Sequence, residues 1–446
     1  MARHHLLRHL LIVGALLAAL LTLSAPALAG GRGEQGERGS TGRGRGPTTR
    51  FYVPKPNRDA VRQIAQLRSA GRKADAALIK TMINTPTAVW VVGGSPREAE
   101  RQVREVTRRA AAKRSIPILV LYNIPFRDCA QFSAGGATSA EEYKAWIDGV
   151  AKGIGKRNAI LVVEPDGLGI IPWYTTFEGV AEWCQPAEAD PATAAAERFE
   201  MLNYAVERLA ALPNTSVYLD GTHSAWLNVG DITDRLLKAG VLGADGFFLN
   251  ASNYQYTENL VQYGTWISSC IAYVTEVAPG DFGNCGNQYW SGGPANDWQG
   301  VALNHFGIWS DTADDPALNT AGINSRYASI LGDVAPSTRF IIDTSRNGQG
   351  PWDPASHGFP DPQDWCNPPG RGLGLRPTVA TASPLVDAFV WIKVPGESDG
   401  QCNRGLGAGE NVTDPIWGRV DPAAGAWFPE QALELAQLAN PPLKRK

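Results

Sequence analysis

The sequence predicts an α/β protein whose seven parallel strands wrap into a barrel, and three observations carry that prediction. Seven short apolar or β-branched runs recur along the chain, amphipathic stretches separate several of them, and almost every run ends in polar residues. The runs are Ala88 to Val92, Pro117 to Tyr122, Ala159 to Val163, Ser216 to Leu219, Phe247 to Leu249, Arg339 to Ile342 and Ala388 to Ile392. Helical periodicity is expected over Pro96 to Lys113, Ala140 to Lys156 and Ala192 to Leu212. Alternation of strands with helices makes the sheet parallel, and a run such as Ala159 to Val163, apolar at all five positions, suits a strand buried on both faces.

Residues 1 to 29 read as a secretory signal peptide. Arg3 and Arg8 precede the apolar stretch Leu10 to Leu21, and Ala27, Leu28 and Ala29 form a small-x-small cleavage site. The apolar stretch is short for a membrane span, and no Cys follows it at a lipid-anchor position, so a mature protein free of the membrane is expected. Residues 30 to 50, rich in Gly, Arg and Thr, have the composition of a flexible linker. The fold is therefore expected in residues 51 to 446. That is large for one domain, but barrels reach this size with insertions.

The chain carries 41 Lys and Arg against 44 Asp and Glu, and several of the arginines fall in the linker, so the body is more acidic than the overall −3. A mildly acidic body argues against a nucleic-acid partner. Six cysteines follow the signal: Cys129, Cys184, Cys270, Cys285, Cys366 and Cys402. An even count in an exported chain favours disulfides, and no Cys-x-x-Cys spacing suggests a metal. Fifteen pairings are open, of which nearest neighbours is the simplest.

The run ends carry the chemistry. In order they release Gly93 and Gly94, then Asn123 and Asp128, then Glu164 and Asp166, then Asp220, Asn250 and Asp343, and finally Lys393, Glu397 and Asp399. In a barrel these ends converge on one face, where barrel enzymes keep their active sites. A single strand-end Asp is more often a turn or cap residue, but six such ends are not. Many carboxylates without clustered His point to proton transfer rather than metal or cofactor chemistry. A carboxyl beside an apolar strand end keeps its proton, because desolvation disfavours the charged form, so Glu164 and Asp166 are candidate general acids. Asp343, in Asp343-Thr344-Ser345-Arg346-Asn347-Gly348, reads instead as a hydrogen-bonded loop that shapes the wall. Trp90, Trp226, Trp365 and Trp391 lie close to these ends. Aromatic faces beside carboxylates and amides suit a carbohydrate, with Trp391 assigned mostly to the core.

The residues also resemble a family. LYNIPFRDCAQFSAGGA at 121 to 137 and LVVEPDGLG at 161 to 169 resemble the two signatures of glycoside hydrolase family 6, and FYVPKPNRDA, AVWVVGG, YLDGTHSAWL, DTSRNG, DWCNPPGRGLG and WIKVPGESDG match it in order from Phe51 to Leu443. The resemblance implies a distorted seven-stranded β/α barrel, a variant of the TIM barrel. It implies single-displacement, inverting hydrolysis of β-1,4-glucans by a general acid and a water on the opposite ring face. It places Asp166 as the acid, Asp128 as the neighbour that raises its pKa, Asp399 as the residue most often proposed as base, and Asp220 as the charge that stabilises the distorted sugar. Tyr122 falls where the family presses the reactive sugar out of its chair. Trp90, His223, Trp226, Asn250, Trp365, Lys393 and Glu397 fall at sugar-binding positions, and Ser133 is a candidate for orienting water. Glu164 drops to a supporting role. The resemblance also implies the Cys129–Cys184 and Cys366–Cys402 disulfides.

Taken together, the expectation is a secreted, extracellular, monomeric endo-β-1,4-glucanase acting on cellulose or soluble β-1,4-glucan. Only 35 residues lie between Cys366 and Cys402, which suits an open cleft, and Trp226 is followed directly by Leu227-Asn228-Val229, without a second Trp. A cellobiohydrolase is the alternative, because the segments 268 to 326, with Trp290, Trp298 and Trp309, and 405 to 425 are long enough to cover the cleft. A non-catalytic polysaccharide-binding protein is the remote one.

Overall fold

The computed structural model describes residues 49 to 407 and 411 to 444. The signal peptide and almost all of the linker expected from the sequence lie outside the described residues. The seven strands are β1 (Val89–Val92), β2 (Ile118–Tyr122), β3 (Ala159–Val163), β4 (Thr215–Asp220), β5 (Gly246–Leu249), β6 (Arg339–Asp343) and β7 (Val386–Val390). They form one sheet in the order of the chain, every neighbouring pair parallel. The sheet curls into a barrel that stays open at one seam. No β-ladder joins β7 to β1 among the described residues, and the edges meet through single bonds, Ala88 N to Trp391 O at 2.8 Å and Trp90 Nε1 to Ile392 O at 2.9 Å.

Strand periodicity divides the apolar residues between two cores. Ile118, Val120 and Tyr122 of β2 and Ile160 and Val162 of β3 point into the barrel, joined there by Phe248, Ile341 and Val390. Leu119, Leu121, Leu161 and Val163 point outward against α3 (Pro96–Ala112), α4 (Ala140–Ile154) and α5 (Ala194–Ala210). A third cluster covers the seam: α1 (Arg58–Ser69), α2 (Lys73–Ile83) and the C-terminal helix Pro429–Gln437 pack around Leu373, Trp391 and Trp427. Trp391 is thus a core residue, as expected. Helix α3 starts with a capping box, Ser95 and Glu98, which sets the first β-to-α turn after Gly93 and Gly94.

The last strand differs from the sequence expectation by two residues at each end. The apolar run extends to Ile392, but the partner strand stops at Asp343, whose carboxylate accepts the Ile392 and Lys393 N–H groups at 3.1 and 3.0 Å in place of a ladder. The true start was hidden because Asp387 interrupts the apolar pattern; it pairs with Arg339 and Tyr218.

All three disulfides join nearest neighbours: Cys129–Cys184, Cys270–Cys285 and Cys366–Cys402.

One close approach fixes the register of the sheet. Gly246 opens β5 at φ +145°, and a Cβ there would meet the Arg339 carbonyl oxygen at 1.8 Å. Gly246→Ala is expected to destabilise the fold by about 3 kcal/mol or more, because backbone rather than a side chain must yield. A urea midpoint unchanged from wild type would contradict this reading of the β5–β6 contact.

Candidate active site

The strand ends of β2, β3 and β4 build the acidic centre. After β3 the chain turns through two left-handed residues, Glu164 at φ +52° and Asp166 at φ +62°, closed by Gly167 N to Glu164 O at 2.8 Å. This turn separates the two carboxylates. Glu164 points back into the protein and accepts the N–H groups of Asn123 and Ile124 at 2.9 and 3.0 Å, tying the end of β3 to the end of β2. Burial pushes its carboxyl up to about 7. Asp166 points the other way, into the cleft. Arg198, fully buried on α5, straps the two loops by donating to Gly167 O, Ile170 O and Pro125 O.

Asp220, at the end of β4, accepts the N–H groups of Leu168, Gly169 and Thr222. It therefore anchors the turn that carries Asp166 and brings a second carboxylate against it from behind; burial pushes Asp220 up to about 6. Asp128 approaches from the loop after β2, itself left-handed at φ +61°, and its Oδ2 accepts the Ser133 N–H at 2.6 Å. Burial outweighs that bond and the nearby Arg127, and holds Asp128 at about 6. The Asp166 carboxyl is held well above the usual carboxylate range, first by burial, then by the charges of Asp220 and Asp128. No donor reaches its carboxyl among the described residues. Desolvation at the apolar strand end was legible in the sequence, and like-charge repulsion from Asp128 was implied by the family resemblance; Asp220 ahead of Asp128 was not.

Asp399 has the opposite environment. Its Oδ2 meets Arg346 Nη1 at 2.8 Å, the Tyr254 hydroxyl at 3.1 Å and Asn367 N at 3.0 Å, and its Oδ1 lies 3.0 Å from Lys393 Nζ. Burial pushes this carboxyl up, but the two cations overcome it and hold Asp399 well below the usual range. Arg346, Tyr254 and Asn367 were not singled out from the sequence. Arg346 lies inside the DTSRNG motif, yet nothing local shows that its guanidinium crosses to the loop after β7. Asp343 shapes the wall as expected, accepting from Ser252, Ser345, Ile392 and Lys393.

Asp128, Asp166, Lys393 and Asp399 share a cleft of about 720 Å3 across the mouth of the barrel, while Glu164, Asp220 and Arg346 are not among its lining residues. Tyr122, Asp128, Ser133, Asp166, His223, Lys393, Glu397 and Asp399 line it, with the rings of Trp90, Trp226 and Trp365. Trp90 meets Tyr122 edge-on at 5.4 Å, and Arg127 covers the Tyr122 ring at 4.7 Å. Trp226 lies over Gly169, where a Cβ would meet the indole at 2.4 Å, so the glycine after the acid's turn is what admits this ring. His223 sits beside Trp226, its Nδ1 accepting the Ala225 N–H; burial, with His305 nearby, pushes it down to about 3, so the imidazole is neutral.

Asn250 departs from expectation. It is fully buried, its amide donates to Asp343 O and Asn253 O, and its Oδ1 accepts from Gln255 N. It braces the loop after β5 and does not line the cleft. The 268–326 segment contributes His305 to the cleft lining, while Trp290 and Trp298 stack on each other outside it and Trp309 is buried against Trp266. Of the 405–425 stretch, Ala424 and Gly425 reach the rim; residues 408 to 410 lie outside the described residues. Cys402, Asp414 and Asp421 are close enough to suggest a metal set, but Cys402 is disulfide-bonded and Arg404 is paired with Asp414.

An open β/α barrel with a group of raised aspartates and a depressed one across an aromatic cleft has the architecture of a glycoside hydrolase, and the chain belongs to glycosyl hydrolases family 6, whose family model matches residues 47–439. Endoglucanase A of Cellulomonas fimi is 32% identical over 395 residues, covering 88% of this chain and 62% of that protein, so the chain spans about three-fifths of that relative's length. A probable 1,4-beta-D-glucan cellobiohydrolase C of Neosartorya fischeri is 30% identical, covering 80% of this chain and 70% of that protein. Among solved structures, the endoglucanase Cel6 of Mycobacterium tuberculosis, bound to a methyl-cellobiosyl thio-cellobioside, is 30% identical with a TM-score of 0.59, covering 88% of this chain and 98% of that one.

Arg346→Leu is expected to destabilise the fold by about 3 to 5 kcal/mol at pH 7, because it leaves the buried Asp399 charge half-neutralised. The depressed pKa of Asp399 contributes stability above the unfolded value of about 3.9 and loses it as pH falls, so the deficit of the variant shrinks in acid. Equal urea stability of the two proteins at pH 7 would contradict the assignment of Arg346.

Proposed function

We propose that this protein is an exported, inverting endo-β-1,4-glucanase acting on cellulose and soluble β-1,4-glucans. The observation that carries the reading is Asp166, a carboxyl in the cleft wall raised well above the usual carboxylate range by burial and by the charges of Asp220 and Asp128. Asp166 donates its proton to the glycosidic oxygen as the bond to the anomeric carbon breaks, and a water adds from the opposite ring face. Asp220 and Asp399 supply negative charge toward the developing cation, and the Tyr122 ring presses the reactive sugar out of its chair. Asp399 is a weak base, because Arg346 and Lys393 favour its ionised form. Asp128, at about 6 and bonded to Ser133, is the better proton acceptor for a water chain leading from the nucleophile.

Three features support internal cutting. The Cys366–Cys402 loop is short, the long 268–326 segment leaves most of the cleft rim to other loops, and endoglucanases stand among the relatives. One contact favours the exo reading: Phe132, on the loop after β2, meets Trp365 at 5.9 Å, which brings two rim loops together. Export is supported by the signal-like first 29 residues and the three disulfides.

The purified protein is expected to drop the viscosity of carboxymethyl cellulose rapidly and to release products first seen as the α-anomer by proton NMR. Slow cellobiose release with little change in viscosity would overturn the endo assignment, and β-anomeric products would overturn inversion. Asp166→Asn is expected to lower kcat on unactivated substrate about a thousandfold while oligosaccharide binding persists. Full activity of that variant would remove Asp166 from the role of acid.

A further inference from the structure

The open seam of the barrel leaves a second cavity that no sugar-binding assignment uses. It has a volume of about 340 Å3 and shares two wall residues, Trp90 and Glu397, with the main cleft. Its origin is topological: without a ladder between β7 and β1, the start of β1 and the chain from Val394 to Glu397 stand apart, and Met82 and Ile83 at the end of α2, with Trp427, close the space behind them. The segment Pro54-Lys55-Pro56-Asn57 forms its outer wall. Two prolines stiffen that segment, and Asn57 fixes its C-terminal end by accepting the Asp59 N–H as the cap of α1 and donating to Glu397 Oε1 at 3.3 Å.

The position of this cavity relative to the acid follows from the order of the strands. Trp226 follows β4, Asp166 follows β3, and Trp90 belongs to β1, so the cleft runs from Trp226 past the acid to Trp90 and Glu397. The second cavity lies beyond Trp90 and Glu397, at the end of the cleft remote from Trp226. Its wall combines the Trp90 and Trp427 rings with Lys55, Asn57, Thr87 and Glu397. Aromatic faces flanked by a few hydroxyl, amide and charged groups are the chemistry that recognises a pyranose.

We propose that this seam cavity is an additional subsite for a glucose residue of the same β-1,4-glucan chain that occupies the cleft. The inference rests on the reading of the cleft as a β-1,4-glucanase site. It deepens that reading, because a chain that continues past Trp90 does not end there, and the bond at Asp166 is then reached from within a chain.

The test compares cello-oligosaccharides of increasing length on wild type, Lys55→Ala and Thr87→Trp, the last filling the cavity. On wild type, kcat/KM is expected to rise about tenfold with the sugar that first reaches the cavity. Both variants are expected to lose that increment while keeping wild-type kcat/KM on the shorter oligosaccharides. Calorimetric binding of the same series to Asp166→Asn, with and without Thr87→Trp, reads the increment without turnover. If wild type hydrolyses nothing but the affinity step at that length persists and is lost with Thr87→Trp, the subsite stands and the glucanase reading falls. If wild type is active and the length increment is absent, or is unchanged in both variants, the subsite is overturned.

Discussion

Desolvation of carboxyl groups at the ends of β3 and β4 is the constraint around which the site is built. A barrel strand buried on both faces delivers its last residues to a place that water reaches poorly, and a carboxylate there needs a partner or a proton. Glu164 and Asp220 receive backbone N–H donors, and Asp128 receives one from Ser133. Asp166 receives none among the described residues and faces two neighbouring carboxylates, so the proton is its compensation.

The remaining structure serves to hold that arrangement still. Glu164 stitches β3 to β2, Asp220 fixes the turn after β3, and Arg198 gathers three carbonyls from both loops. Across the cleft the logic reverses. Arg346, Lys393, Tyr254 and Asn367 surround Asp399 and keep it ionised, so two aspartates in one cleft are driven to opposite charge states by their surroundings. Aromatic rings complete the cleft between these poles.

Much of this was legible in the sequence because the barrel is written in local patterns. Each strand is an apolar run, each run ends at the mouth, and the acid follows directly from the strongest run, Ala159 to Val163. What stayed hidden depends on contacts between distant segments. Arg346 reaches Asp399 across fifty-three residues, and no periodicity announces that reach. Asn250 has the same strand-end signature as the site aspartates, yet its amide turns inward to Asp343, a choice made by the neighbouring loop rather than by its own position. The shifted β7 has the same cause, since its limit is set by the end of β6. The seam cavity needed the topology: seven strands in order say nothing of whether the first and last close.

The protonation state of Asp166 is the most direct test of the site, and it can be read by carboxyl infrared or carbon-13 NMR titration of wild type against Asp166→Asn. The Asp166 carboxyl is expected to titrate well above the ordinary aspartate value of about 3.9 and to move down when Asp220 is replaced by Asn. An Asp166 that titrates at the ordinary value, unaffected by loss of the Asp220 charge, would contradict that expectation.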